Sequence, residues 1–345
     1  MPIDIAEKFK SLGFKHLLLA VSGGLDSICL AHYFISNKER LGVEWLGIAH
    51  VHHGLREITA DRDAAFVEDF ARKFNVPFFL KKLDGEALKA ADGSLEENAR
   101  DARYKALTEI ALDSSYPIVL VTAHHAGDQA ETVYMRLRRG TTLAGLRGIQ
   151  EVRVLNGLKI FRPFLNITRA ELLDHAREHN LDWCEDESNT EVKFARNKIR
   201  HELLPRLEKN IPGATRQLCR IAALADKSFE NVFAKCKEVF APCLLNEKVA
   251  EKCAPIPLNS IAIDKKKLNK ILLDHSGADL SEMFRLWLST LGFRFPTGFF
   301  YSKDEPSHIK IPVRAVYRKR SILKIRHTVW ICEFVNTESA AKFVS

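Results

Sequence analysis

Residues 17–27, Leu-Leu-Leu-Ala-Val-Ser-Gly-Gly-Leu-Asp-Ser, constrain the fold of this chain more than any other stretch. The short apolar run ending at Val21 and bounded by a glycine pair has the pattern of a strand buried in a parallel sheet. Leu25, Ile28, Cys29 and Leu30 then begin a helical spacing. Gly23 and Gly24 permit a tight turn and a close approach of backbone to ligand, and the unpaired N–H groups of the helix start point into that turn. Strand, turn and helix start together suit an anion. Ser22 and Ser27 add hydroxyl donors, and Asp26 is placed to hold Mg2+ or to orient a reactant beside a phosphate.

A glycine pair after a strand is by itself only a tight connection, with Ser or Asp as a helix cap. The full Ser-Gly-Gly-x-Asp-Ser string is more specific. It lacks both the distal Gly-Lys-Ser/Thr of a Walker loop and the spacing of a dinucleotide fingerprint. It resembles the PP-loop of the N-type ATP pyrophosphatases, which split ATP into AMP and pyrophosphate to activate a carbonyl-type oxygen by adenylation. The resemblance implies ATP and Mg2+, with Ser22, Gly23, Gly24, Leu25, Asp26 and Ser27 around the nucleotide.

At 345 residues the chain has room for a full core and for two domains. Its 46% hydrophobic and 28% charged residues describe a globular protein. No apolar run approaches the ~20 residues of a membrane span, and the N-terminus lacks a signal-peptide layout, so a cytoplasmic protein without membrane contact is expected. Seven scattered cysteines without a Cys-x-x-Cys pair suit a reducing compartment. The net charge of +8 is segregated: residues 213–345 carry 22 Lys and Arg against 13 Asp and Glu, so the basic excess lies in the last third. Solvated lysines are one explanation; a polyanion, RNA above all, is the other.

Helices are expected over residues 4–14, 25–38, 61–74, 95–112 and 128–138, and strands over 17–21, 45–51, 76–80 and 117–123. Strands alternating with helices imply βαβ units and a Rossmann-like parallel sheet, whose ligands gather at the carboxyl ends of the strands. Two further polar clusters fall there. In His50-Val51-His52-His53-Gly54-Leu55-Arg56, strand alternation puts His50 and His52 on one side and His53 on the other, with no acid or cysteine ligand near in sequence. Loop histidines, or a nucleotide-contacting pair His53 and Arg56, fit that pattern better than zinc. In His124-His125-Ala126-Gly127-Asp128-Gln129-Ala130-Glu131-Thr132, Asp128 and Glu131 share one face of a helix start. They could chelate Mg2+, grip an ammonium group or move protons, and Asp128 could also simply complement the helix end.

The strings Ser-Gly-Gly-Leu-Asp-Ser, His-His-Gly-Leu-Arg (52–56), Ala-Arg-Asp-Ala-Arg-Tyr (99–104), His-His-x-x-Asp-Gln-x-Glu-Thr (124–132), Arg-Gly-x-x-x-x-Gly-Leu (139–146) and Glu-Asp-Glu-Ser-Asn with Arg-Asn-Lys-Ile-Arg (185–200) resemble, in order, the tRNA(Ile)-lysidine synthetases. The likeness is strong over residues 15–210 and weaker to about 335. It implies a ligase that adenylates C2 of the wobble cytidine in CAU-anticodon tRNA(Ile), joins the ε-amine of free L-lysine, and shifts codon reading from AUG to AUA. It also implies Asp26, Asp128, Glu131 and His124 as catalytic residues, Asp128 and Glu131 on lysine, and Asp26 on the metal. His53, Arg56, Arg139 and Gly140 would join the ATP site, and Arg100, Arg196, Asn197, Arg200, Arg318 and Arg320 would meet tRNA. Two departures stand out: His52 where members often carry Asn, and Gly127 where they carry an acid or amide.

Pro205 and the turn Asn210-Ile211-Pro212-Gly213 end the helical pattern, giving a PP-loop catalytic domain over 1–212 and a smaller basic tRNA-binding domain over 213–345. The second is expected to be mainly helical, over 214–240 and 280–291, and to end in a short β segment within 309–334 that holds no acid between Pro306 and Cys332. Tyr317 and Trp330 interleave its arginines and lysines, as on an RNA-facing hairpin, although a small core sheet with a basic outer face has the same composition. A homodimer is compatible with the sequence. A tRNA sulfur transferase would need a paired reactive cysteine, a non-catalytic RNA- or nucleotide-binding protein would not need the intact loop and carboxylates, and an amidotransferase-type synthetase would need a glutaminase segment.

Overall fold

A computed structural model describes residues 4–55, 57–155, 157–185, 198–245, 260–264, 314–317, 320–325 and 329–334. The chain divides into two compact units, residues 1–140 with 145–223, and residues 141–144 with 224–345.

In the first unit, α1 (Asp4–Leu12) precedes β1 (His16–Ala20), which feeds α2 (Leu25–Ser36) and the short α3 (Lys38–Leu41). Then follow β2 (Trp45–His52), α4 (Glu57–Lys73), β3 (Phe78–Lys82), α5 (Gly85–Ala90), α6 (Leu95–Leu112), β4 (Val119–Val121) and α7 (Ala126–Arg138). The strands order as β3-β2-β1-β4 and pair in parallel, as the alternating pattern requires. A hairpin, β5 (Val152–Leu155) and β6 (Leu158–Phe161), completes the six-stranded sheet, β6 lying parallel to β4 and antiparallel to β5. Strand alternation splits the core. Leu17 and Leu19 pack with Phe9, Ile28, Phe34, Val67 and Leu172 on one face, and Leu18 packs with Leu107, Ala111 and Leu120 on the other. Both faces are therefore covered, and burial of each leucine contributes about 1.5–3 kcal/mol.

From β1 the chain moves outward to β2 and β3, and β4 returns to the other side of β1. The switch point lies between β1 and β4, where an α/β sheet opens a ligand crevice at its carboxyl ends. The glycine turn leaves β1 there and His124-His125 leaves β4 there.

After the four-residue α8 (Leu143–Leu146) and then α9 (Arg169–Glu178), a π-helical turn Ile199–Leu203 runs into α10 (Leu204–Asn210). Pro205 does not end the helix as expected; it occupies the first turn of α10. The long helix α11 (Ala214–Phe240) matches the expected span, and Gly213 enters it at φ +85°. In the second unit, β7 (Leu244–Leu245), β8 (Ser260–Asp264), β9 (Arg314–Tyr317), β10 (Arg320–Ile325) and β11 (Val329–Phe334) form an antiparallel sheet in the order β7-β8-β11-β10-β9. The β segment expected near the end is thus three of its strands. The helix expected over 280–291 lies outside the described residues. Among those described, no helix is long and apolar enough to cross a membrane.

Candidate active site

The turn after β1 is tied down from three sides. Gly23 adopts φ +96°, a conformation glycine alone takes without strain, and its carbonyl accepts from Cys184 N at 2.9 Å. His50 Nδ1 donates to Val21 O at 2.8 Å, locking β2 to the start of the turn. Ser27 Oγ donates to Gly24 O at 2.9 Å and accepts from Ser22 N at 3.1 Å, with Ser22 Oγ 3.2 Å away. No side chain caps α2, so its N-terminal partial positive charge faces the crevice.

Asp26, in the first turn of α2, opens an acidic half-site. His125 Nε2 stands 3.6 Å from Asp26 Oδ2 and 3.8 Å from Asp128 Oδ2, while Arg169 Nη1 approaches Asp26 Oδ1 at 3.6 Å. His125 caps α7: its Nδ1 accepts from Gly127 N at 2.9 Å, so the remaining proton sits on Nε2, toward the two aspartates. Asp128 Oδ2 returns the cap by accepting from His125 N at 3.0 Å. Arg200 closes the cluster with Nε 2.5 Å from Glu131 Oε1 and Nη2 2.8 Å from Asp128 Oδ1. Glu131 is 1% exposed, and an ion so deeply buried requires such a partner. Burial pushes the Asp26 carboxyl up against the pull of His125 and Arg169. Burial pushes Asp128 up too, but His125, His124 and Arg200 outweigh it and leave the group below the usual carboxylate value.

A basic half-site lies beside it. Arg100 and Arg103, on α6, place their guanidiniums 5.8 and 5.4 Å from the Tyr104 ring. Arg162, directly after β6, is 3% exposed and donates to Gln150 O at 2.7 Å. Burial and then the charges of Arg162, Arg103 and Arg100 press His124 down to about 3, although Asp128 opposes them. Burial and Arg103 likewise press His53 to about 4. Tyr104 Oη, Arg103 Nε, Arg162 Nε and His53 Nδ1 are buried without a hydrogen-bond partner. Three guanidiniums and unpaired buried donors in one place suit an anion.

The described sequence-derived residues of the first unit therefore meet at the ends of β1, β2 and β4, with the exception of Arg139 and Gly140. These close α7 at its other end, ~16 Å of helix from Asp128, where Gly140 at φ +72° donates to Leu137 O. Arg56, Arg196, Asn197 and Arg318 lie outside the described residues, and Arg320 opens β10. Arg200, expected on tRNA, sits on the carboxylate pair. Sequence reasoning missed His50 as an anchor, Arg162 and Arg169. Arg162 follows the Asn156-Gly157 hairpin signal, and Arg169 follows the N-cap of the Thr168-x-x-Glu171 capping box, so both positions were findable.

The donor set fits Mg2+. Asp26 Oδ1 is buried without a hydrogen bond beside the uncapped helix end, and Asp26 would hold the ion.

A doubly wound sheet with a glycine turn at its switch point defines a nucleotide-binding α/β protein. The PP-loop domain family model matches residues 2–207, and the chain belongs to that family. It is 40% identical over 205 residues to the tRNA(Ile)-lysidine synthase of Pseudomonas aeruginosa, covering 59% of this chain and 45% of that one. It is 33% identical over 285 residues to the tRNA(Ile)-lysidine synthase of Actinobacillus pleuropneumoniae, covering 82% and 61%. Among solved structures, the U34-tRNA thiolase NcsA of Methanococcus maripaludis has the same fold, at TM-score 0.53 and 17% identity over 65% of this chain and 79% of that one. Alignments cover from 33% to 61% of the length of such curated relatives.

Proposed function

We propose that this chain is a tRNA(Ile)-lysidine synthase, which adenylates C2 of the wobble cytidine of CAU-anticodon tRNA(Ile) and couples the ε-amine of L-lysine to it. The supporting observation is the meeting of an uncapped glycine turn with the Asp128–Glu131 carboxylate pair across β1 and β4, in a chain similar to proteins of that name.

Ser22, Gly23, Gly24, Ser27 and the first turn of α2 would hold the pyrophosphate of ATP, and Asp26 would hold Mg2+, which would supply positive charge beside the leaving pyrophosphate. Arg100, Arg103 and Arg162 receive the negative α-phosphate and the activated base, which leaves the anticodon stack at little cost in a loop. Asp128 and Glu131 bind the lysine ammonium, and Arg200 orients the pair. The amine sheds a proton to His124, a carboxylate or water before it attacks C2 and expels AMP. A phosphate among the arginines offsets the repulsion that presses His124 down, so its proton affinity rises at the step that releases one.

A sulfur transferase on the same fold needs a thiolate. Burial pushes Cys29 to about 12 and Cys219 and Cys236 to about 11, and burial with Asp63 takes Cys184 beside the turn to about 11. These four thiols stay protonated at neutral pH. ATP-dependent incorporation of labelled lysine into unfractionated bacterial tRNA tests the proposal. Base-resistant label in the CAU anticodon is expected. Pyrophosphate release without label would make lysine the wrong nucleophile, and the absence of both label and pyrophosphate release would refute the enzyme reading.

A further inference from the structure

Away from the crevice, three imidazoles meet between α2 and α9. His32 lies on α2, and His175 and His179 stand one turn apart at the end of α9. His32 Nδ1 is 3.1 Å from His175 Nε2, and His32 Nε2 is 3.2 Å from Ser36 Oγ. The His179 ring centroid is 4.4 Å from that of His175 and 4.6 Å from that of His32. One nitrogen from each ring falls within 4.8 Å of the other two, with His175 buried, His32 half-buried and His179 exposed.

We propose that His32, His175 and His179 form a zinc site that staples α2 to α9, with water as the fourth ligand. Two nitrogens on one tetrahedral zinc, each ~2.05 Å from the metal, stand about 3.3 Å apart. The His32–His175 pair already has that spacing, and the exposed His179 ring needs only to turn inward. Three imidazoles without a carboxylate or thiolate select a borderline divalent ion over Mg2+ or Ca2+. An outer-shell partner is also in place: Ser36 Oγ lies 3.2 Å from His32 Nε2, and in the tautomer that zinc requires Nε2–H donates to it and Nδ1 carries the lone pair. In that tautomer the hydrogen between the two rings belongs to His175 Nε2 and would shift to Nδ1 as zinc binds, so neutral ligands would coordinate without net proton release or redox change. Burial and neighbouring histidines keep His32 and His175 below their ordinary value, His175 at about 4, so both are neutral at pH 7. Lys73 is the cationic neighbour of His32 and opposes the ion, which weakens the site relative to thiolate centres. The staple would join the helix that starts at the glycine turn to the helix whose first residue, Arg169, reaches Asp26.

Untagged full-length protein, stripped with EDTA, is titrated with ZnCl2 by calorimetry and with CoCl2 by visible absorption. One saturable equivalent, a tetrahedral Co2+ spectrum and a zinc-dependent rise in Tm are expected. His179→Gln, at an exposed position that leaves folding intact, should bind at least ~10-fold more weakly and lose the rise in Tm. Absence of saturable binding, or binding by His179→Gln as tight as by the parent protein, overturns the site and leaves the three rings as hydrogen-bonded packing.

Discussion

Arg200 grips Glu131 from 69 residues away in sequence, its Nε 2.5 Å from Oε1 and its Nη2 3.2 Å from Oε2, and the same Nη2 reaches Asp128. One guanidinium thus organises two acids that share a face of α7. Glu131 is buried and Arg200 is 35% exposed, so the pair is neither a surface ornament nor a fully desolvated bridge. Removing one partner of a buried pair costs up to about 3–5 kcal/mol, because the other charge is left in low dielectric. Partial exposure of Arg200 brings this down to ~2–3 kcal/mol for Arg200→Met in urea denaturation. Arg200→Met/Glu131→Met should lose less than the two single variants summed, with a coupling of about 1–3 kcal/mol. Additive losses would show that the two side chains do not interact.

Glu131→Gln tests the pair's functional side. If the carboxylates receive the lysine ammonium, this variant raises the KM for lysine at least ~10-fold, the loss expected of a charged hydrogen bond worth ~1.5–3 kcal/mol. The KM for ATP should move little, since the nucleotide is held by the turn after β1. Equal rises in both would point to general distortion of the crevice.

Asp26 should matter to chemistry and hardly to stability. Its Oδ1 makes no hydrogen bond, and the Arg169 guanidinium and His125 ring stand 3.6 Å away, so the fold gains little from the charge. Asp26→Asn is expected to keep its Tm within a few degrees and to lower tRNA-dependent ATP/pyrophosphate exchange ~10²-fold or more. Full exchange by this variant would remove Asp26 from the metal and phosphate machinery.

The glycine at 127 follows from the neighbouring cap. A Cβ there would lie 2.5 Å from His125 Cε1 and 3.0 Å from Nδ1, because the ring folds back to accept the Gly127 N–H. Gly127→Ala is expected to expel the ring and to cost about 1 kcal/mol, the worth of a typical N-cap. Nitrogen NMR of the imidazole should report the loss of the Nδ1 acceptor. An unchanged His125 signal in Gly127→Ala would contradict this cap.

The sheet and the phosphate turn were legible because local pattern and tertiary role coincide there. Leu17–Val21 is apolar on both faces because both faces are covered, and Gly23 is glycine because φ is +96°. The partnerships were not legible. Arg200 reads as one more cation in a basic run, and nothing local links it to Glu131. Arg162 escaped notice because β5 and β6 have only four residues each, too short for a period to stand out, although their Asn-Gly turn marks them. The histidine trio is invisible for a similar reason: His32 and His175 are 143 residues apart, and only the packing of α2 on α9 joins them.

The pressed-down histidines make stability depend on pH in a definite direction. His124 at about 3 and His53 at about 4 bind protons less readily in the folded chain than in the unfolded one, where histidine titrates near 6.5. Above pH ~6.5 both states are neutral at these rings, so the full stability is present. Below it the unfolded chain takes up protons first, and stability falls as pH drops from ~6.5 through 4 toward 3. His53→Asn removes one of these groups without adding charge, so its Tm should decline less steeply than that of the parent between pH 6.5 and 4.5. ATP with a non-hydrolysable α–β bridge should flatten the parent's decline as well, since an α-phosphate among Arg100, Arg103 and Arg162 offsets the repulsion that disfavours the imidazolium ions. Parallel declines in parent and variant would mean that other groups govern the acid limb and that His53 titrates normally.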